Sequence, residues 1–278
     1  MKFVLISDTH IGANPMEYEQ QKGYPERLPQ IVEALDQWIL EQKDIDFVLH
    51  SGDMVDLSTE ENIRTAHKMF KLSVPVYLCL GNHDLNTIDA VNLWLTHAPD
   101  FFPNGKPEFS IQKGKCVMHV VPTQWEETPY FWGSIQAPHF LKEQFSGMRM
   151  RNKETETHFI CTHCAVMGVP MAQTGFNYEY HNQDEAFEKE VFGIINENPA
   201  IRCVLSGHNH INSSVLKNNV RFVTTSSFSE IPFEAKVFSV TDTAIEMETI
   251  TMLSLAKLNG EYDFNKTYVQ GREIDRKF

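Results

Sequence analysis

The chain has 278 residues and a formal net charge of −13 with its histidines neutral. That length allows one large domain or two small ones with a substantial buried core, and that charge repels polyanions. A nucleic-acid polymer is therefore not an expected partner, since the local basic groups are confined to the Lys113-Gly114-Lys115 turn and the last few residues. No run approaches the length of a transmembrane helix, and the apolar residues at 3–6 are too few for a signal-peptide core, so no membrane association is expected. The five cysteines are an odd number, and Cys79, Cys161 and Cys203 sit in apolar, strand-like runs. This usage fits buried, reduced thiols in a cytoplasmic protein better than a disulfide framework. Cys161-Thr162-His163-Cys164 has the spacing of a redox motif, but no helix follows it at once, which argues against that reading.

Taken in order, residues 3–6 read as a short buried strand that ends in Ser7-Asp8-Thr9-His10. Asp8 and His10, two apart in an extended segment, can point the same way. After an irregular polar stretch at 14–25, Leu28, Ile31, Val32, Leu35, Trp38 and Ile39 recur at helical spacing and predict a helix over 26–42. A second strand at 47–50 ends in Ser51-Gly52-Asp53, with Asp56 three residues on; a helix over 59–72 leads to an apolar strand at 74–80. That strand runs into Gly81-Asn82-His83-Asp84. Alternating strands and helices argue for a parallel sheet with right-handed crossovers, in which such strand ends face the ligand crevice.

A helix is expected over 88–97, a hairpin over 108–112 and 116–121, and a loop at 122–132 carrying Trp125, Tyr130, Phe131 and Trp132. These aromatics could cap the core or wall a substrate's organic group. Another helix is predicted over 138–145. The strand at 158–161 ends in Thr162-His163, a long loop covers 165–182, and a helix follows over 184–196. The strand at 201–205 ends in Ser206-Gly207-His208-Asn209-His210. A hairpin over 213–216 and 220–225, then strands at 236–240 and 244–250, complete the pattern. No linker or repeat divides the chain, so the expected organisation is one domain over 1–250, with 251–278 as an extension packed on it.

Any single polar strand end has a dull alternative as an ordinary turn. Five strands ending in carboxylate, imidazole or amide are harder to explain by chance. Mixed oxygen and nitrogen donors without thiolate suit Mn, Fe, Zn or Ni in pairs. One shared carboxylate can hold two cations about 3.5–4 Å apart, as in-line phosphoryl chemistry requires.

The order Asp-x-His, Gly-Asp-x-x-Asp, Gly-Asn-His-Asp, His, Gly-His-x-His, spread over residues 8–210, resembles that of the calcineurin-like metallophosphoesterase superfamily. The resemblance implies an α/β fold, a four-layer α/β/β/α sandwich of two mixed sheets flanked by helices. It implies one metal held by Asp8, His10, Asp53 and His210 and a second held by Asp53, Asn82, His163 and His208, with Asp53 bridging. It also implies hydrolysis of a phosphate ester by a metal-bound hydroxide, His83 acting on the leaving oxygen, Asp56 orienting His83, and Asp84 in support.

Departures from relatives narrow the branch. Met54, Val55 and Asp56 stand where purple acid phosphatases carry a tyrosine, and Leu57 stands where protein serine/threonine phosphatases carry an arginine. What remains resembles the bacterial cyclic-nucleotide and glycerophosphodiester phosphodiesterases, which Trp132-Gly133-Ser134-Ile135 and Thr224-Thr225-Ser226-Ser227 with Pro232 also resemble. The expected substrate is a small phosphodiester; a phosphomonoesterase or nucleotide pyrophosphatase is the alternative, a metal-free scaffold the least favoured, and a homo-oligomer is open. The densest cations lie at the end of the chain, which reads first as a solvated terminus; the alternative is that Arg272 or Arg276 reaches the metal site of its own chain or a neighbour's and grips phosphate.

Overall fold

The computed structural model describes residues 1–134, 137–145, 156–182 and 184–278. Eleven strands form two mixed sheets among these residues. The first sheet holds β1 (Lys2–Ile6), β2 (Phe47–His50), β3 (Val76–Leu78), β10 (Glu234–Val240) and β11 (Ile245–Thr251), in the spatial order β11-β10-β1-β2-β3. The second holds β4 (Phe109–Lys113), β5 (Cys116–Val120), β6 (Thr157–Cys161), β7 (Ile201–Ser206), β8 (Ser213–Lys217) and β9 (Val220–Thr224), ordered β4-β5-β6-β7-β9-β8. The centre of each sheet is parallel and its hairpin partners antiparallel: β1 and β3 flank β2 in parallel, and β5, β6, β7 and β9 run together. Parallel centres bring successive strand ends to one edge, with helices returning the chain after β1, β2 and β6.

The sheets face each other through aromatic rings. Phe3 stacks on Phe47 and Phe238 within the first sheet, at 5.2 and 4.9 Å, and meets Phe159 of the second edge-on at 6.0 Å. Side chains alternate across the second sheet as the pleat requires. Phe159, Cys161, Cys203 and Leu205 join the core between the sheets, whereas Ile160 and Val204 pack outward with Phe187, Val191 and Ile195 of the helix Glu185–Glu197. On the far side of the first sheet, the helix Leu28–Gln42 buries Leu28, Ile31, Val32, Leu35 and Ile39, the face its sequence period predicts. Helix, sheet, sheet and helix make the four expected layers.

Differences from expectation have local causes. The first helix starts at Leu28 after a 3₁₀ turn, Pro25–Arg27, and stops where Lys43 turns left-handed, at φ 66°. The helix expected over 138–145 shrinks to a 3₁₀ turn, Lys142–Phe145. His139 instead exchanges both backbone hydrogen bonds with Gln124, at 2.9 and 3.0 Å, which removes its donor from any helix. All five cysteines are free and buried; desolvation pushes the Cys164 thiol up, which disfavours the thiolate a redox role for Cys161 and Cys164 needs. No helix among the described residues is long and apolar enough to cross a membrane.

The last residues run through a 3₁₀ segment, Phe264–Gln270, and a one-turn helix, Glu273–Arg276, before Phe278 exchanges backbone hydrogen bonds with Met247. Their arginines do not reach the metal site of their own chain. Arg272 grips Asp275 through Nε and a terminal nitrogen at 2.8 and 3.0 Å, and Arg276 pairs with Glu234 at 2.6 Å. Neither lines the cleft of its own chain. Two buried carboxylates, Asp275 of the same short helix and Glu234 of β10, claim both guanidiniums first.

Candidate metal centre

The polar groups that follow β1, β2, β3, β6 and β7 meet at one edge of the sandwich. Three sets of donor atoms each lie within 4.8 Å of one another: Asp8, His10 and His210; His10, Asp53 and His83; Asp53, His163 and His208. Asn82 lines the same cleft, beside Asp53 and His208. Every residue singled out as a ligand therefore arrives in one place. Asp53 belongs to two of the sets.

The local backbone is unusual. Asp8, His10, Asp53, His208 and His210 all have positive φ, between 45° and 70°. A non-glycine residue in this region costs roughly 1 kcal/mol or more, and such strain gathers at functional sites. Hydrogen bonds between the loops hold it: Asp8 N donates to Gly52 O at 2.9 Å, and His10 N donates to Asp53 O at 3.0 Å. From the other sheet's connection, Ser227 Oγ donates to Asp8 O and Ser229 Oγ to Thr9 O, both at 2.7 Å. Two glycines permit the close approach. A Cβ on Gly81 would stand 2.3 Å from Asp53 Oδ1, and one on Gly207 would stand 1.9 Å from Ser7 Oγ.

The imidazoles are oriented from behind. His163 Nδ1 lies 2.9 Å from Ser51 O, and a carbonyl can only accept, so Nδ1 carries the proton and Nε2 presents its lone pair to the cluster. His210 Nδ1 lies 2.7 Å from Glu230 Oε1, which fixes that ring in the same way. His83 Nδ1 lies 3.2 Å from Asp56 Oδ1 and 3.0 Å from Asp56 O; the same carboxylate stands 3.6 Å from His10 Nδ1, so it serves two rings. Asp84 takes hydrogen bonds from the backbone of Met54, Val55 and Gly81 at 3.0, 3.1 and 2.9 Å, tying the loops after β2 and β3 together.

Several groups in the cluster have no partner that the protein itself supplies. Asn82 Oδ1 and His163 Nε2 are buried and make no hydrogen bond among the described residues, although His163 Nε2 is 3.1 Å from Asp53 Oδ2. His10 Nε2 and His210 Nε2 face each other at 3.2 Å. Orphaned buried donors of this kind, all oxygen and nitrogen, fit divalent cations. Burial by itself would raise the Asp8 and Asp53 carboxyls, but the imidazoles of His210 and His163 outweigh it and hold both well below the usual range. Conversely, burial would lower His163, but Asp53 and Asp8 pull it up to about 9. Cations binding here must displace such protons, so metal affinity is linked to pH.

Three contributors are illegible in the motifs. Glu230 comes from the connection before β10, Ser51 acts through its carbonyl, and the cleft wall comprises Tyr18, Gln20, His181 and Asn209. Only Asn209 carried a signal, lying between two motif histidines. Trp125 is buried 5.3 Å from the His208 ring and Trp132 packs 5.2 Å from His83, so both aromatics brace site imidazoles. Of Trp132-Gly133-Ser134-Ile135, Ile135 lies outside the described residues.

Residues 1–212 match the calcineurin-like phosphoesterase family, and the chain belongs to it. The class this defines is the metal-dependent phosphoric ester hydrolases. Among curated protein sequences nothing matches. Solved structures share the fold at low identity. A dimetal phosphatase of Danio rerio aligns with a TM-score of 0.67 at 13% identity, covering 90% of this chain and 96% of that one. GAP50, the anchor in the inner membrane complex of Plasmodium, aligns at 0.63 and 9%, over 91% and 84%. A purple acid phosphatase of yellow lupin aligns at 0.58 and 12%, over 90% and 51%.

Proposed function

We propose that the protein hydrolyses a small phosphodiester, of the cyclic-nucleotide or glycerophosphodiester kind, at a dinuclear centre. Asp8, His10, Asp53 and His210 would hold one cation and Asp53, Asn82, His163 and His208 the other. The observation that carries the reading is Asp53, whose Oδ2 lies 3.9 Å from His10 Nε2 on one side and 3.1 Å from His163 Nε2 on the other, beside an Asn82 Oδ1 left without a hydrogen bond among the described residues. When bound, two cations supply an acidified water and offset charge on the phosphoryl oxygens. His83 has a different part. Its side chain is 31% exposed, against 8% for His10 and 0% for His163, so it faces the opening. With Nδ1 held by Asp56, its Nε2 is the atom that donates a proton to the leaving oxygen.

The preference for a diester rests on charge. The cleft, of about 470 Å³, has no lysine or arginine among its described lining residues, so apart from the cations little but the His83 imidazole would offset the second charge of a monoester. The named phosphatases among the structural neighbours favour the rival reading, a monoesterase; a nucleotide pyrophosphatase is a further rival. Turnover of bis(p-nitrophenyl) phosphate against p-nitrophenyl phosphate, with Mn, Fe, Zn and Ni in turn, tests the proposal. Faster cleavage of the diester is expected. A monoester preference under every metal would overturn it.

A further inference from the structure

The two halves of the metal centre are braced by different parts of the molecule. His163 is held by the Ser51 carbonyl, and Ser51 is tied directly to the first sheet, its N donating to Ile6 O at 2.9 Å. His210 depends instead on Glu230, which stands in the connection between β9 and β10. The second oxygen of that carboxylate accepts from Gln21 N at 2.8 Å. Gln21 belongs to the stretch between β1 and the helix Leu28–Gln42, where the only helical elements are two 3₁₀ turns. Its place is therefore fixed by bonds to other segments.

Those bonds come from the end of the chain. The buried Gln21 side chain donates from Nε2 to Asp263 O at 3.0 Å and Lys266 O at 3.2 Å, and its Oε1 accepts from Asp263 N at 2.9 Å. Two carbonyls can only accept and an amide N–H can only donate, so the side chain fits in one orientation. On either side of it, Lys266 Nζ donates to Glu19 O, and Glu261 N donates to Tyr24 Oη at 2.7 Å. The same segment grips the other flank of His210. Asn212 N donates to Val269 O at 2.9 Å, and Gln173 Nε2 bridges Asn212 O and Tyr268 O at 2.7 and 2.8 Å. Ile211, next to His210, packs with Val169 and Val269, all three buried. Gly271 permits this approach: its φ is 78°, and a Cβ there would stand 2.8 Å from Asn212 O.

We propose that residues 261–271 form a clasp that positions His210, through Gln21 and Glu230 on one flank and through Asn212 on the other, and so retains one of the two cations. Gln21 and Gln173 are positioning residues, since neither lines the cleft. The proposal rests on the dinuclear reading of the cleft and adds a part of the chain that the motifs, which end at His210, do not include. The cation on the His163 side, braced by the sheet through Ser51, is independent of the clasp.

Release of zinc from the loaded full chain to the chromogenic chelator 4-(2-pyridylazo)resorcinol tests this. Gln21→Met keeps the bulk of the side chain and removes its three hydrogen bonds. One zinc equivalent should then leave about 10-fold faster than from the wild-type chain, while the other stays within about threefold, the lower end of what losing support behind a ligating imidazole costs. Gln173→Met, on the opposite flank, should speed the same equivalent, so a variant that misfolds leaves the other to decide. A fold that is merely loosened would release both equivalents faster alike, and that outcome overturns the proposal. A wild-type chain that holds fewer than two equivalents overturns the dinuclear reading and this proposal with it. Two equivalents whose release a folded variant leaves unchanged overturn this proposal alone.

Discussion

Two regions of this protein bury dense charge, and they treat it in opposite ways. Beneath the C-terminal residues, Glu234, Lys236 and Asp275 are essentially inaccessible, and each is satisfied by the protein itself. Arg276 and the Asn212 amide take Glu234, Lys236 Nζ donates to Asp275 O at 2.9 Å and Thr249 Oγ1 at 3.2 Å, and Asp275 receives Arg272 and the Ser214 amide. At the cleft, Asn82 Oδ1 and His163 Nε2 make no hydrogen bond among the described residues, and two imidazole nitrogens confront each other. A paired buried network stiffens a fold; an unpaired one is completed by something else.

The sharpest way to break the contrast is at Asp53. Asp53→Asn should drop turnover to background and leave fewer than two equivalents of metal, because both donor sets lose a carboxylate; metal analysis beside a rate measurement checks it. Two full equivalents with normal turnover would refute the bridging role. His83→Ala should keep its metals and lose roughly 10²–10⁴-fold in turnover, with the loss shrinking for good leaving groups such as nitrophenolate. Equal losses across leaving groups would assign the ring another role.

On the architectural side, Asp275→Ala strands Arg272 and the Ser214 amide. Arg272 is a third exposed, so the cost should fall at the lower end of roughly 3–5 kcal/mol, read by denaturant unfolding, with metal affinity little changed. Glu230→Gln should do the reverse: metal affinity at His210 should fall roughly 10–100-fold while the fold survives.

The smallest effect is a slope. Burial depresses Lys236 from its ordinary 10.5 to about 7, with Arg276 acting in the same direction and Glu234 and Asp275 against it. Between those values the unfolded chain binds the extra proton, so this residue's contribution makes stability rise with pH from about 7 towards 10.5 and stay flat below 7. Lys236→Met should remove that component, seen as the difference between the two unfolding profiles across this window.

The arginines at the end of the chain show where sequence reading fails. Arg272 and Arg276 were the densest cations available, and a phosphate site wants cations, yet they pair with Asp275 and Glu234 and neither lines the cleft of its own chain. Nothing in a local window announces which carboxylate will be buried next to a guanidinium. The helix expected over 138–145 failed for a related reason, since its backbone is claimed by Gln124 on a distant loop.

What the sequence determined by itself was most of the elements and the polar groups at their ends. Periods of two and of 3.6 are local signals, and placing a polar group after a buried strand requires no knowledge of the neighbours. Asp8, His10, Asp53, Asn82, His83, His163, His208 and His210 were therefore legible before any fold was known. Tertiary structure alone decided how they are presented. The positive φ of five site residues, and the Ser51 carbonyl and the Glu230 carboxylate behind two rings, all depend on atoms far apart in the chain. Orientation and hydrogen-bond satisfaction are properties of a packed surface, and a packed surface exists only after both sheets have closed on each other.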